Sequence, residues 1–219
     1  MRRRRKVRGG FHMNNKLVVA ISREFGSGGR LIGEKLAADL GIPFYDREII
    51  ELAAKKSGLS TDFFEQLEER ASSSFLFNLV TTAYASPSFF SQYDIPISHK
   101  AFYAQVSVIQ ELADSGSCVI VGRCADYILR DHPNCAKIFV YASREDRLKR
   151  VVDHYDYDSE AIDEKISKID KGRANYYKHF TNESWGSAHA HDLCINSSFA
   201  GIDGSVTLIK TLLQVNGMI

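Results

Sequence analysis

The sequence predicts an α/β protein built on a five-stranded parallel sheet flanked by helices. Three observations predict it. Short apolar runs rich in β-branched residues recur five times along the chain. Each is followed by a stretch with apolar residues at helical spacing. Each run also ends in a polar segment: SREFGSGGR, DRE, GRCAD, SRED or NSS. A strand covered on both faces reads as a continuous apolar run, and parallel strands are joined through helices. Such sheets bind ligands beyond the carboxyl ends of their strands, where the five polar segments fall.

The elements follow in order. Residues 17–22 form the first strand, a β-branched run closed by a loop. Leu31, Ile32, Leu36, Ala37 and Leu40 mark a helix over 29–40 that ends at Gly41. Ile42–Tyr45 is a short second strand, and Asp46 is placed to cap a helix over 47–57. Ser60 or Thr61 opens another helix, with acids in its first turn. Residues 72–98 are aromatic and serine-rich and contain Pro87 and Pro96; they read as a long loop or broken helices covering a site. Helical spacing returns over 99–115 and stops at Gly116. Cys118–Val121 is the third strand, broken at Gly122, and residues 135–143 are the fourth. A charged helix over 144–155 and a longer one over 158–180 follow. Residues 191–198 hold the fifth strand, and residues 201–217 a closing helix.

Bulk properties exclude several classes. A formal net charge of +1 makes the chain as a whole a poor ligand for polyanions. The exception is Arg2-Arg3-Arg4-Arg5-Lys6, which reads as a disordered basic tail over residues 1–13, with Met13 as a second plausible start. The remainder, 14–219, reads as a single domain. No run approaches the 18 or so apolar residues of a membrane span, and Leu17–Ile21 is too short for the core of a secretory signal. Cys118, Cys124, Cys135 and Cys194 have neither zinc nor disulfide-framework spacing, so reduced thiols and a cytoplasmic location are expected. His189 and His191 form an H-x-H pattern that does not by itself define a metal site, and no metal ligands are assigned.

The chemistry concentrates in residues 22–33, SREFGSGGRLIG. Gly26, Gly28 and Gly29 allow the backbone to turn its amides inward ahead of a helix N-terminus, which is the physical basis of a phosphate cradle. The usual phosphate loop closes on Gly-Lys-Ser/Thr. Here Gly29 stands at the lysine position, Arg30 one place later, and Leu31 at the hydroxyl position. Arg30 is therefore the expected replacement cation, and Ser27 or Ser22 a partial substitute for the hydroxyl.

With the motifs YDRE, VGRCAD, IFVYASREDRLKRV, DKGRANYY and DLCINSS in the same order, the chain from about Leu17 to Leu213 resembles the cytidylate kinase-like proteins, within the phosphate-loop nucleoside monophosphate kinases. The resemblance implies ATP-dependent transfer of a phosphoryl group, with Mg²⁺, to a nucleoside monophosphate such as CMP or dCMP. It implies an acceptor-binding insertion over about 47–117 and a lid over about 153–185. Residue by residue, Gly26, Ser27, Gly28, Gly29 and Arg30 would wrap the ATP phosphates with Arg147. Asp46, Arg47, Arg123, Asp126, Asp170 and Arg173 would hold the acceptor, and Arg30, Arg123, Asp170 and Arg173 would serve the transfer. Cys124 stands where the family has an aspartate, with Asp126 close by.

Three other readings stay open. The loop that lacks both lysine and hydroxyl suits a nucleotide-binding regulator without turnover, or a kinase for another small phosphorylated metabolite. The basic tail suits nucleic acid, which is the weaker reading. Nucleotides are the expected partners, no membrane is expected, and the sequence does not give the oligomeric state.

Overall fold

The computed structural model describes residues 16–70, 95–154 and 162–219. The expectations for the basic tail, for most of the 72–98 segment and for part of the lid fall outside those residues. The element order is β1 (Val18–Arg23), α1 (Gly29–Leu40), β2 (Phe44–Tyr45), α2 (Glu48–Ser57), α3 (Thr61–Arg70), α4 (Ile97–Ser115), β3 (Cys118–Val121), α5 (Ala125–Ile128), β4 (Cys135–Tyr141), α6 (Arg144–His154), α7 (Ile162–Thr181), β5 (Leu193–Asn196) and α8 (Ser197–Val215).

All five strands are parallel, in the order β2-β3-β1-β4-β5. The first strand lies at the centre, with Val18 opposite both Cys118 and Cys135. Alternation along β1 divides the core in two. Val18 and Ala20 pack with Ile49, Ile50, Phe63, Ile109, Ile120 and Tyr176 on one face. Val19 and Ile21 pack with Ile32, Leu36, Ile138, Ile209 and Leu213 on the other. Each β1 residue from Val18 to Ile21 is fully buried, which explains why the strand reads as an unbroken apolar run.

Two local expectations are corrected, and one element is added. Asp46 does not cap α2: the cap position is Arg47, in right-handed helical conformation, and the Asp46 amide instead donates to Glu48 Oε2 at 3.1 Å. The segment after Gly122, given no element by the sequence reading, turns into the single-turn helix α5. The last helix begins early, at Ser197, because Asn196 Oδ1 accepts from the Ser198 amide; it then kinks at Gly201, where φ is 67° and ψ 178°. Ser60 caps α3 as expected, accepting from the Phe63 amide at 3.2 Å. Trp185 is a packing anchor, edge-on to Phe139. No helix among the described residues is long and apolar enough to cross a membrane.

Ile138 sits on β4 with no exposed surface, facing α1 and α8. Ile138→Ala should destabilise the fold by about 2–5 kcal/mol, read from urea unfolding, with the m-value unchanged.

Candidate functional site

At Arg23 the chain leaves β1 and turns through residues 24–28 into α1. Gly26 and Gly28 take left-handed φ values of 77° and 82°. Space is also short there. A Cβ on Gly26 would lie 2.8 Å from the Arg147 carbonyl oxygen, and one on Gly28 would lie 2.6 Å from Ile202 Cδ1. Gly28 caps α1 with no side-chain hydrogen bond. The first helical bond runs from the Ile32 amide to the Gly28 carbonyl at 2.9 Å. The amides of Gly29, Arg30 and Leu31 therefore have no acceptor inside the helix, and the positive end of its dipole lies with them.

The loop is fastened from behind. The Phe25 amide donates to Asp170 Oδ1 at 2.8 Å, and the Phe25 carbonyl accepts from Arg147 Nε at 2.7 Å. Arg147 Nη2 donates in turn to Asp170 Oδ2, and its Nη1 lies 3.3 Å from Glu24. Arg150 Nη1 donates to the Gly26 carbonyl at 2.6 Å. Ser197 Oγ donates to the Ser27 carbonyl at 2.5 Å. Side chains of α6, α7 and α8 thus hold consecutive peptides of the loop.

In front of the loop lies a cleft of about 420 Å³, within the usual size of a small-molecule site. Gly26, Gly28, Gly29, Arg30 and Leu31 line its floor, with Arg23, Arg150 and Arg173 as further cations and Glu24, Glu34 and Asp46 as acids. Asp46 lies 3.9 Å from Arg23 Nη2 and 3.6 Å from Arg30 Nε. Arg173 Nη1 donates to the Arg23 carbonyl at 3.2 Å and lies over the Phe25 ring. Burial, then the charge of Arg23, brings Arg123 down to about 10 and pushes Arg173 well below its ordinary value. At neutral pH Arg123 remains charged despite that cost.

The expected site residues separate into groups. Gly26, Gly28, Gly29, Arg30, Asp46 and Arg173 line the cleft together. Arg123 stands beside it, within the electrostatic reach of Arg23 and Asp46, on a left-handed bend of Gly122, Arg123 and Cys124 (φ 77°, 57° and 55°). Gln105, buried on α4, supports that bend by donating to the Arg123 carbonyl at 3.3 Å. Arg147 and Asp170 lie behind the loop, and their side chains bond to it and to each other. Ser27 is buried, with its hydroxyl donating to the Glu24 carbonyl. Arg47 points outward to Glu65 at 2.6 Å. Asp126 does not line the cleft; it is buried with His191, 3.2 Å away, and with the Tyr177 hydroxyl, which donates to it at 3.0 Å. Arg23 was missed by the sequence reading. Its signal was a cation closing an otherwise apolar strand. Burial pushes the Cys118 thiol up to about 11 and Cys135 up to about 12, which removes them as nucleophiles.

The model of the cytidylate kinase-like family matches residues 18–199. The chain belongs to the cytidylate kinase-like family. A solved structure of an uncharacterised protein from Eubacterium ventriosum is 25% identical, at a TM-score of 0.66, over 91% of this chain and 99% of that one. Shikimate kinase from Bacteroides thetaiotaomicron shares the fold at 13% identity and TM-score 0.52, over 90% of this chain and 98% of that one. A sugar kinase from a Janibacter species shares it at 12% identity and TM-score 0.53, over 91% and 95%. No curated protein sequence matches significantly. The family and the shared fold bear out the five-stranded parallel sheet and place the chain among kinase-like proteins of the phosphate-loop type.

Two measurements test the geometry. Arg147→Met should cost about 3 kcal/mol, because it takes from Asp170 its closest cation and leaves that carboxylate with the Phe25 amide and the more distant Arg173. Adding Asp170→Asn to it should then cost much less than Asp170→Asn alone, as read by urea unfolding. The second concerns His191, whose Nδ1 lies 2.8 Å from the Ser187 carbonyl and whose Nε2 lies 3.2 Å from Asp126. Burial disfavours its charge, but Asp126 and that carbonyl outweigh burial and raise it above 6.5. The folded protein therefore keeps a proton that the unfolded chain has released. Stability should be fullest below about pH 6.5 and fall as pH rises through the raised value, and His191→Gln should flatten that slope.

Proposed function

We propose that the chain is an ATP-dependent kinase that transfers a phosphoryl group to a nucleoside monophosphate, with a cytidine nucleotide as the first acceptor to test. One observation carries the reading. The uncapped amides of α1 open onto a cleft that is also lined by the cations of Arg23, Arg150 and Arg173 and by Asp46. Transfer of a phosphoryl group needs positioning and charge neutralisation more than covalent chemistry. The loop amides and the helix dipole would hold the donor phosphates. Arg173 and Arg123 would meet charge on the transferring group, each able to give two parallel hydrogen bonds. Arg147 and Asp170 would act by keeping the loop in shape. Asp46 would orient Arg23 and Arg30 toward the anion.

Mg²⁺, which such kinases use with ATP, would supply further neutralisation across the phosphates. Leu31 offers it no oxygen, and the Ser27 hydroxyl donates within the loop. Among the described residues no three His, Cys, Asp or Glu side chains group to hold a metal. Asp46, Glu24 and Glu34 do line the cleft. That set fits an ion carried mainly by phosphates, with one or two carboxylates.

The glycine at the lysine position and Leu31 at the hydroxyl position favour a second reading, a nucleotide-binding protein without turnover. Coupled ADP release distinguishes the two. With CMP, dCMP, other monophosphates, shikimate and simple sugars as acceptors, the kinase reading expects turnover with at least one, lost by a hundredfold or more in Arg173→Ala. Calorimetric ATP binding with no acceptor turned over above that variant would establish the second reading instead.

A further inference from the structure

We propose that Arg23, at the carboxyl end of β1, supplies the phosphate-binding cation that phosphate loops take from a lysine, and that it occupies the space that lysine's stem would need. The inference rests on the reading that the loop holds the polyphosphate of a nucleotide.

The steric half of the argument concerns Gly29. Its φ is not in the left-handed region, so backbone conformation does not demand glycine there. Space does. A Cβ on Gly29 would lie 2.5 Å from Arg23 Cβ and 3.0 Å from Arg23 Cγ. The Arg23 Cβ is fixed by the backbone of a central strand that pairs on both sides, so it cannot swing clear. The side chain then runs on to Gly122. A Cβ there would lie 2.2 Å from Arg23 Nη1 and 2.8 Å from Cζ. Arg23 thus lies in a trough between two bare Cα positions, one at the start of α1 and one at the end of β3. A side chain at 23 and a side chain at 29 exclude each other from Cβ outward, and here position 23 has the side chain.

The electrostatic half concerns what lies at the end of that trough. Arg23 lines the cleft, with a side chain 13% exposed and Asp46 3.9 Å away. Its charge opposes those of both Arg123 and Arg173. Three cations so close, facing Asp46 and Asp170, hold an excess of positive charge that a polyphosphate would relieve. Arg30, the residue the sequence favours, is differently placed. Its side chain is half exposed, and its Nε donates to Glu34 at 3.0 Å.

The test uses the full chain and four variants, Arg23→Ala, Arg23→Lys, Gly29→Lys and Arg23→Gly/Gly29→Lys, the glycine being needed because alanine would keep the Cβ that lies 2.5 Å from a Cβ at 29. Thermal unfolding and calorimetric binding of ATP and of inorganic tripolyphosphate are measured for each. Arg23→Ala should weaken both anions by about tenfold or more, the usual loss for a charged hydrogen bond, and Arg23→Lys by less. Gly29→Lys alone should lower Tm without tightening binding. The double variant should recover Tm relative to Gly29→Lys and regain binding relative to Arg23→Ala, because the lysine enters vacated space. Unchanged affinity in a folded Arg23→Ala, or a Gly29→Lys that keeps its Tm and gains affinity, would overturn the inference while leaving the kinase reading intact. A wild-type chain that binds neither anion would overturn both.

Discussion

The site depends on one residue being held at both its amide and its carbonyl. Phe25 gives its amide to Asp170 and takes Arg147 at its carbonyl, and those two side chains bond to each other. A glycine-rich loop on its own has many accessible shapes, since glycine loses the most freedom on ordering. Here the ordering is imposed by a buried arginine on α6 and an aspartate on α7, more than a hundred residues downstream. Arg150 and Ser197 extend the same fastening to the next two peptides. The amides at the start of α1 face the cleft while the loop carbonyls from Phe25 to Ser27 are occupied by side chains of α6 and α8.

That fastening also sorts the charges. Arg147 of α6 is spent behind the loop, on the Phe25 carbonyl and Asp170, while the cleft itself is lined by arginines from β1, α1, α6 and α7. The arrangement is expensive: burial and mutual repulsion lower Arg123 and Arg173. The left-handed bend at Arg123 and Cys124 adds backbone strain of roughly 1–3 kcal/mol per residue. A protein keeps such a cluster when something supplies the missing negative charge, and strain of this kind gathers at functional sites. The cluster therefore supports anion binding more strongly than the glycine loop alone does.

Much of this was legible in the sequence. The five strands announced themselves because a sheet covered on both faces must be written as uninterrupted apolar runs. The loop was legible because Gly26 and Gly28 serve positive φ. Less legible were contacts set by tertiary placement. Arg147 and Arg173 both lie on charged helices, and nothing in their spacing tells which faces the loop's back and which its front. Asp126 looked like a displaced acceptor ligand, yet it is paired with His191 and Tyr177, partners 65 and 51 positions away that only the fold brings together. Arg47 shared the YDRE motif with Asp46 but turns to Glu65 on α3. Arg23 escaped notice because side-chain volume at one position is read against the absence of volume at another, and a glycine at 29 can be explained locally without it.

The trough occupied by Arg23 has a bearing on how such a sequence can drift. Positions 23, 29 and 122 behave as one unit of change, although they lie on three separate elements. A lineage cannot exchange an arginine on the strand for a lysine on the loop one residue at a time without passing through a crowded ancestor or an uncharged one. That makes the two ways of furnishing the cation separate islands in sequence space, and it explains how the absence of a hallmark lysine can persist in an intact fold.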